Sequence, residues 1–391
     1  MQWGIEEVRK FITSFSPDLI IMETSAPSFT ADTVTAEQLT GIPLCAAGFH
    51  ATAAPKLHLE SGFTYVFCGE YEYHVSDFVK AIENSSVLPV YIGHAGNPSP
   101  SHSPLIDDLD LLPYPLRDDL LLSRYHDPFS RSFNITMISS KGCTHNCSFC
   151  SLTPYLGKTI YRKRSVRAVV DEMLYLIQRY SPNEILFDDD SITVDRGHCI
   201  SLCKEICGRA PGIVWSCMGN VPIDDECAFW MAKAGCRAIK LGVESGVQCI
   251  LDSIPKGITL GQIQATFNIL RKHRIKRHAT VMVGLPGDTR QGVAESVRFI
   301  LSLKPDTVQF STATPYPGTA FYEKAVQNKW IQSTSYEDFD GAGLTPLSYP
   351  SFSKEEIQTA FHHGLKRWHR YMLLHKPGTL LHHLKNYLFA R

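Results

Sequence analysis

Three cysteines lie within one short stretch, Lys141-Gly-Cys-Thr-His-Asn-Cys-Ser-Phe-Cys150, and their types and spacing are what a metal centre needs. Cys143, Cys147 and Cys150 are close enough in the chain for one loop to wrap a metal cluster, and thiolates suit iron-sulfur chemistry. A cubane cluster holds four irons. Three protein thiolates therefore leave one iron for a ligand that is not protein. Two other readings of the residues stand beside this one: a zinc site completed by a distant fourth ligand, and thiols that are merely buried. Structural zinc motifs usually come as separated pairs, which this run is not.

The spacing Cys-x3-Cys-x2-Cys, with the aromatic Phe149 just before the last cysteine, resembles the signature of the radical S-adenosylmethionine (SAM) enzymes. The resemblance extends from about Leu112 to Ile331 through further motifs in the family's order. It implies a 4Fe-4S cluster on Cys143, Cys147 and Cys150, with Phe149 in the cofactor-binding motif. The open iron would chelate the amino and carboxylate groups of SAM. Cleavage of SAM would then release a deoxyadenosyl radical that abstracts hydrogen from an unactivated position.

By the same resemblance, Phe187-Asp-Asp-Asp-Ser191 supplies Asp189 and Asp190 as acceptors for the SAM amino group. Acidic acceptors suit an ammonium donor, although aspartate is also common in solvated turns. Lys240-Leu-Gly-Val-Glu-Ser-Gly246 places Glu244 where it would face a barrel mouth and contact SAM. The alternative for Glu244 is a structural salt bridge, since buried carboxylates are mostly paired. Val283-Gly-Leu-Pro-Gly287 and Pro315-Tyr-Pro-Gly-Thr319 look like the family's later strand ends, where glycine lets backbone approach a ligand closely. Two positions depart from the pattern. Thr144 stands where many relatives have proline, and Asn220 where many have an arginine that could meet a carboxylate.

Residues 17–80 resemble the later half of the cobalamin-binding domain that precedes the core in one subgroup of the family, through Pro17-Asp-Leu-Ile-Ile-Met22, Ala47-Gly-Phe-His-Ala-Thr52 and Cys68-Gly-Glu70. Two earlier βα units of that domain have no counterpart, so the module reads as incomplete. This implies that Met1 is an internal start or a truncation, which in-frame genomic sequence upstream would test. No Asp-x-His-x-x-Gly element supplies a cobalt ligand. His50 reads as a loop histidine bonded to backbone rather than as a ligand.

The subgroup resemblance implies cobalamin as a second cofactor, methyl transfer to an unactivated carbon as the reaction, and a flavodoxin- or ferredoxin-type electron donor. The substrate would be a small molecule or peptide. Cyclisation, oxidation or rearrangement without methylcobalamin is the alternative within the family. A non-catalytic protein stabilised by its metal is the alternative outside it.

The elements that must position these residues follow from pattern. Strand candidates at 133–139, 184–187, 213–216, 237–243, 277–283 and 306–311 alternate with segments of helical apolar spacing such as Arg167 to Tyr180 and Ile223 to Ala234. Six βα units predict an α/β fold with a partial (β/α)6 TIM-like barrel, whose chemistry lies at the C-terminal ends of the strands. A Rossmann-like module spans 1–93, a Pro-rich linker 94–132, the core barrel 133–333, and a helical region 334–391. The basic run His362 to Arg370 is expected to cap the barrel rather than touch a membrane. Cys199, Cys203 and Cys207 share a helix stripe, and they read as core thiols, as do Cys217, Cys227, Cys236 and Cys249.

In 391 residues with hydrophobic content of 44%, charged content of 20% and a formal net charge of −1, disorder is excluded and no field exists to gather a polyanion. Nucleic acid is not expected as a partner. No signal peptide or run of membrane-spanning length is apparent, so a cytoplasmic chain with reduced thiols is expected, without integral membrane association.

Overall fold

The computed structural model describes residues 4–118, 120, 122, 133–333, 335–376 and 378. It divides into two compact units. One comprises Met1–Ile106, Ser148–Ile160 and Thr314–Ser348; the other comprises Asp107–Cys147, Tyr161–Ala313 and Tyr349–Arg391. The division differs from boundaries at 93, 132 and 333, because two later segments join the front module. Residues 123–132 of the expected linker lie outside the described residues.

The first unit is built on β1 (Ile20–Glu23), β2 (Leu44–Ala47), β3 (Tyr65–Phe67) and β4 (Ile92–Gly93), in that order. The first three strands are parallel and β4 is antiparallel to β3. Side chains alternate along β2. Leu44 and Ala46 enter a cluster with Ala36, Leu39, Ala51 and Phe63, while Cys45 and Ala47 enter another with Phe67, Phe78 and Ile92. The sheet is thus apolar on both faces, as a doubly wound parallel sheet must be.

The second unit opens with β5 (Asn134–Met137), followed by a two-stranded ribbon of β6 (Ser140–Cys143) and β7 (Ile160–Lys163). Then come β8 (Glu184–Phe187), β9 (Trp215–Gly219), β10 (Cys236–Glu244), β11 (Lys276–Val283) and β12 (Thr307–Thr312). The sheet order is β12-β11-β10-β9-β8-β5 and every pair is parallel. This open, sequentially wound array is the expected partial barrel, and its strands fall within three residues of the predicted bounds at each end.

Five of the crossover helices start on a side chain that accepts a backbone N–H. The caps are Ser165, Asp195, Asp224, Thr259 and Thr289. Such caps satisfy donors that the first helical turn leaves open. Trp215 and Phe187 meet edge-on at 5.4 Å in the core, with Met173, Leu176 and Ile185 also buried.

The helix Lys354–His375 buries Ile357, Phe361, Gly364, Trp368 and Met372 along one stripe, and Gly364 admits the ring of Phe310 from β12. This part of the tail packs against the edge strand of the sheet. No helix among the described residues is long and apolar enough to cross a membrane.

Candidate active site

In the second unit the chemistry-bearing residues collect at the C-terminal ends of the parallel strands. Cys143 is the last residue of β6, and Cys143 and Cys147 are half-buried. Asp189, directly after β8, grips the turn that leads into β6. Its carboxylate accepts from the Ser139 N–H at 2.8 Å, from the Ser139 hydroxyl at 2.6 Å, and from the Ser140 hydroxyl. Burial pushes the Asp189 carboxyl up to about 6, against the pull of these donors. Asp190 continues the grip by accepting the Gly142 N–H at 2.7 Å.

The two aspartates read from the sequence as SAM contacts are therefore both engaged with the backbone of the cysteine loop. Asp189 is buried at 1% exposure and fully occupied by serines, which gives it a bracing task. Asp190 is exposed.

Next along the sheet, Asn220 follows β9 and its side-chain amide donates to Cys143 Sγ at 3.5 Å. At the end of β10 the pairing with β11 shifts between Gly242 and Glu244, and Glu244 adopts a left-handed backbone with φ of 60°. Its carboxylate is bound by Lys256 Nζ at 2.5 Å, and Lys256 also donates to the Gly242 carbonyl at 2.8 Å. Both side chains are buried.

Gly242 makes room for this pair, since a Cβ there would lie 2.3 Å from both Glu244 Oε1 and Lys256 Nζ. Within the cysteine loop, burial and then the Lys256 charge push the imidazole of His145 down, while a hydrogen bond with the Lys256 backbone acts the other way. The salt bridge foreseen as one reading of Glu244 is present, and it sits at the strand ends beside the loop.

The Val283–Gly287 turn is braced by Asp288, whose carboxylate accepts from Gly284 at 3.1 Å and from Thr289 at 2.9 Å; burial pushes it up to about 6. The Tyr349 hydroxyl donates to the Gly284 carbonyl at 2.7 Å. Neither Asp288 nor Lys256 was picked out by sequence. The signal for Asp288 was its place just after the Gly284-Leu-Pro-Gly287 turn, where aspartate commonly bonds nearby backbone. Lys256 carried no signal.

The opposite ends of the strands hold a polar plug. There Glu184 is bound by Arg237 at 2.7 Å and by Ser216 at 2.6 Å, beside a cavity of about 50 Å³.

In the first unit, a cavity of about 180 Å³ is lined by Ser25, Ala26 and Pro27 after β1, Phe49 and His50 after β2, and Ser151, Tyr316 and Pro317. Cys150 and the half-buried Phe149 immediately precede Ser151 in the chain. The C-terminal ends of parallel strands are where open α/β sheets take their ligands.

His50 lies in the helix Phe49–Ala53, buried between the rings of Phe29, His58 and Tyr336 at 4.9 to 5.0 Å. Among the described residues neither ring nitrogen has a hydrogen-bond partner. The expected backbone bond to His50 is thus not formed, because the aromatic rings occupy the space around it. His58 takes such a bond instead, from Nδ1 to the Ala54 carbonyl at 2.9 Å.

The helix-borne Cys199 and Cys203 are buried, and Cys227 lies 3.8 Å from Cys199. Burial raises Cys217, and a hydrogen bond with Cys203 raises Cys199. Protonated core thiols are the reading that fits. Cys249 is a correction: it was read as core, but the helix Gln248–Ser253 turns it to solvent and buries Ile250 and Leu251 instead.

Among the described residues no three His, Cys, Asp or Glu converge as a site for one ion. A four-iron cluster does not need such convergence, because each thiolate takes a different iron. The donor chemistry fits the cluster: half-buried thiols, one already meeting an amide N–H, in a loop whose backbone is held by Asp189 and Asp190.

Residues 137–300 match the family model of the radical SAM superfamily, so the strands and loops of the second unit within that stretch form a radical SAM domain. Some of its relatives are named as methyltransferases and others as anaerobic magnesium-protoporphyrin IX monomethyl ester cyclases. It is 29% identical over 366 residues to an uncharacterized methyltransferase, PH0819, of Pyrococcus horikoshii, covering 90% of this chain and 78% of the relative. It is 24% identical over 387 residues to the cytidylyl-2-hydroxyethylphosphonate methyltransferase of Streptomyces wedmorensis, covering 85% and 71%. Its fold is similar to that of the radical SAM methyltransferase TsrM from Kitasatospora setae, solved with cobalamin and a [4Fe-4S] cluster bound, with a TM-score of 0.71 at 19% identity over 92% of this chain and 77% of that one.

Proposed function

We propose that this chain is a cobalamin-dependent radical SAM methyltransferase acting on a small molecule or peptide, reduced by an external flavodoxin- or ferredoxin-type donor. The observation that carries the reading is the three-cysteine loop braced at the strand ends of a radical SAM domain, in a chain that matches two relatives named as methyltransferases over 85–90% of its length. When bound, a 4Fe-4S cluster supplies the electron that cleaves SAM and a corrinoid carries the methyl group.

The protein's part is placement. Cys143, Cys147 and Cys150 hold the cluster, and Asp189 and Asp190 keep the loop in register through their bonds to Ser139, Ser140 and Gly142. Glu244, held by Lys256, and Asp190 are the acceptors proposed for the SAM amino group. In the first unit, Ala26, Pro27, Phe49 and Pro317 give the cavity apolar walls, and Ser25, Ser151 and Tyr316 add hydroxyls. That mixture suits contact with part of a mostly apolar ligand edged with amides, as a corrinoid is, since about 180 Å³ is too small to enclose the whole of it.

The test is anaerobic reconstitution with iron and sulfide, followed by assays for SAM cleavage, corrinoid retention and transfer of labelled methyl from SAM. Retained corrinoid together with methylated product is the expected result. SAM cleavage without corrinoid binding would instead select cyclisation, oxidation or rearrangement. Cys150→Ala should reduce cleavage to background; undiminished cleavage by that variant would sink the assignment of the cluster ligands.

A further inference from the structure

We propose that Asn220 is a redox-positioning residue, whose side-chain amide donates to the Cys143 thiolate and holds the cluster's reduction potential above the value that three thiolates alone would set. This rests on the reading that Cys143, Cys147 and Cys150 carry a four-iron cluster. The amide nitrogen lies 3.5 Å from Cys143 Sγ, a normal N–H to sulfur distance. Seventy-seven positions separate the two residues, so the contact is made by the fold and not by local chain geometry.

The amide is held in place from its backbone. The Asn220 N–H donates to Thr193 Oγ1 at 2.7 Å, and the Thr193 hydroxyl faces the Asn220 carbonyl at 3.1 Å, so one side chain engages both polar groups of the peptide. The preceding Gly219 tightens the strand end further, since a Cβ there would lie 2.6 Å from Ile239 Cδ1 and 3.0 Å from Thr193 Oγ1. A donor fixed in this way needs little reorganisation to meet charge on the sulfur.

The direction of the effect follows from charge. Reduction adds one electron, and the cluster's thiolate sulfurs share the added negative charge. A fixed N–H donor therefore binds the reduced form more strongly than the oxidised one. Hydrogen bonds to the sulfurs are one of the terms that set iron-sulfur potentials. An amide does this without bringing a net charge.

The experiment is an EPR-monitored redox titration of the anaerobically reconstituted full chain, with iron and sulfide counted, for wild type, Asn220→Leu, Asn220→Asp and Asn220→Gln. At matched cluster content, Asn220→Leu should lower the midpoint so that the ratio of reduced to oxidised cluster at a fixed poise drops about tenfold, which is about 59 mV for a one-electron couple. Asn220→Asp should lower it further, because it adds a negative charge, and Asn220→Gln should recover part of the loss. SAM cleavage by Asn220→Leu should slow with a weak reductant and recover with a strong one, a pattern that a purely structural defect would not produce. Unchanged midpoints in both Asn220→Leu and Asn220→Asp would overturn the proposal. A wild-type chain that assembles no cluster would overturn the underlying reading, and the proposal with it.

Discussion

Glu244 carries two costs at once. A left-handed backbone is unfavourable for a residue with a Cβ by about 1–2 kcal/mol, and a buried carboxylate needs a partner. Lys256 meets the second cost, with its ammonium shared between Glu244 and the Gly242 carbonyl. Lys256→Met should therefore destabilise the protein by about 3 kcal/mol, because the remaining charge is left buried and unpaired. Adding Glu244→Gln should restore much of that loss in urea denaturation. Equal stabilities for the single and double variants would show that the pair is not coupled. Glu244 was legible in the sequence because a carboxylate ending an apolar strand is conspicuous. Lys256 was not, because a lysine in a Pro-Lys-Gly turn looks like any solvated lysine until the turn is placed over the strand end.

Among the elements, β10 shows how a strand end becomes a site. Its interior-facing positions run through Ala238 and Lys240 to Gly242, and the bare glycine leaves the volume that the Glu244–Lys256 pair fills. Gly242→Ala should cost about 1–3 kcal/mol as an overpacked position. Measured by chemical denaturation, a neutral effect would mean that the pair relocates freely. The sequence located all six strands of the array, since runs such as Ile185, Leu186 and Phe187 are short, apolar and bounded by turn residues. It also anticipated helices between the strands, such as Arg167 to Tyr180, which the structure forms as Val166–Tyr180. The β6–β7 ribbon was not foreseen. Ser140–Cys143 carries no apolar alternation, and its geometry is set by the Asp189 and Asp190 contacts rather than by its own residues.

At the scale of the molecule, each unit contains a histidine that burial pushes down to about 3: His50 in the first and His278 in the second. For such a group the folded state stays neutral while the unfolded chain takes up a proton as pH falls below 6.5. Its contribution to stability is complete above that value and is lost progressively below it. At pH 5.5 the loss is about 1.4 kcal/mol for His50. Asp189 and Asp288, raised to about 6, act in the opposite sense: what they contribute at low pH is lost as pH rises through about 6. The comparison of His50→Phe with wild type isolates the histidine. The variant should gain about 1.4 kcal/mol on wild type between pH 7.5 and pH 5.5, read by urea denaturation at each pH. A difference that does not change with pH would remove His50 as an acid-sensitive group.

Local pattern was enough for the strands, because periodicity and turn chemistry act over a few residues, and the cysteine triplet and the acidic strand ends were picked out by resemblance to a known family. Partnership was not. Which aspartate braces which serine, the Asn220 bond to Cys143, and the packing of Ser148–Ile160 and Thr314–Ser348 with the front module all depend on strand register and on chain returning from far away. Those contacts join residues that share no local signal, and only folding brings their donors and acceptors within bonding distance.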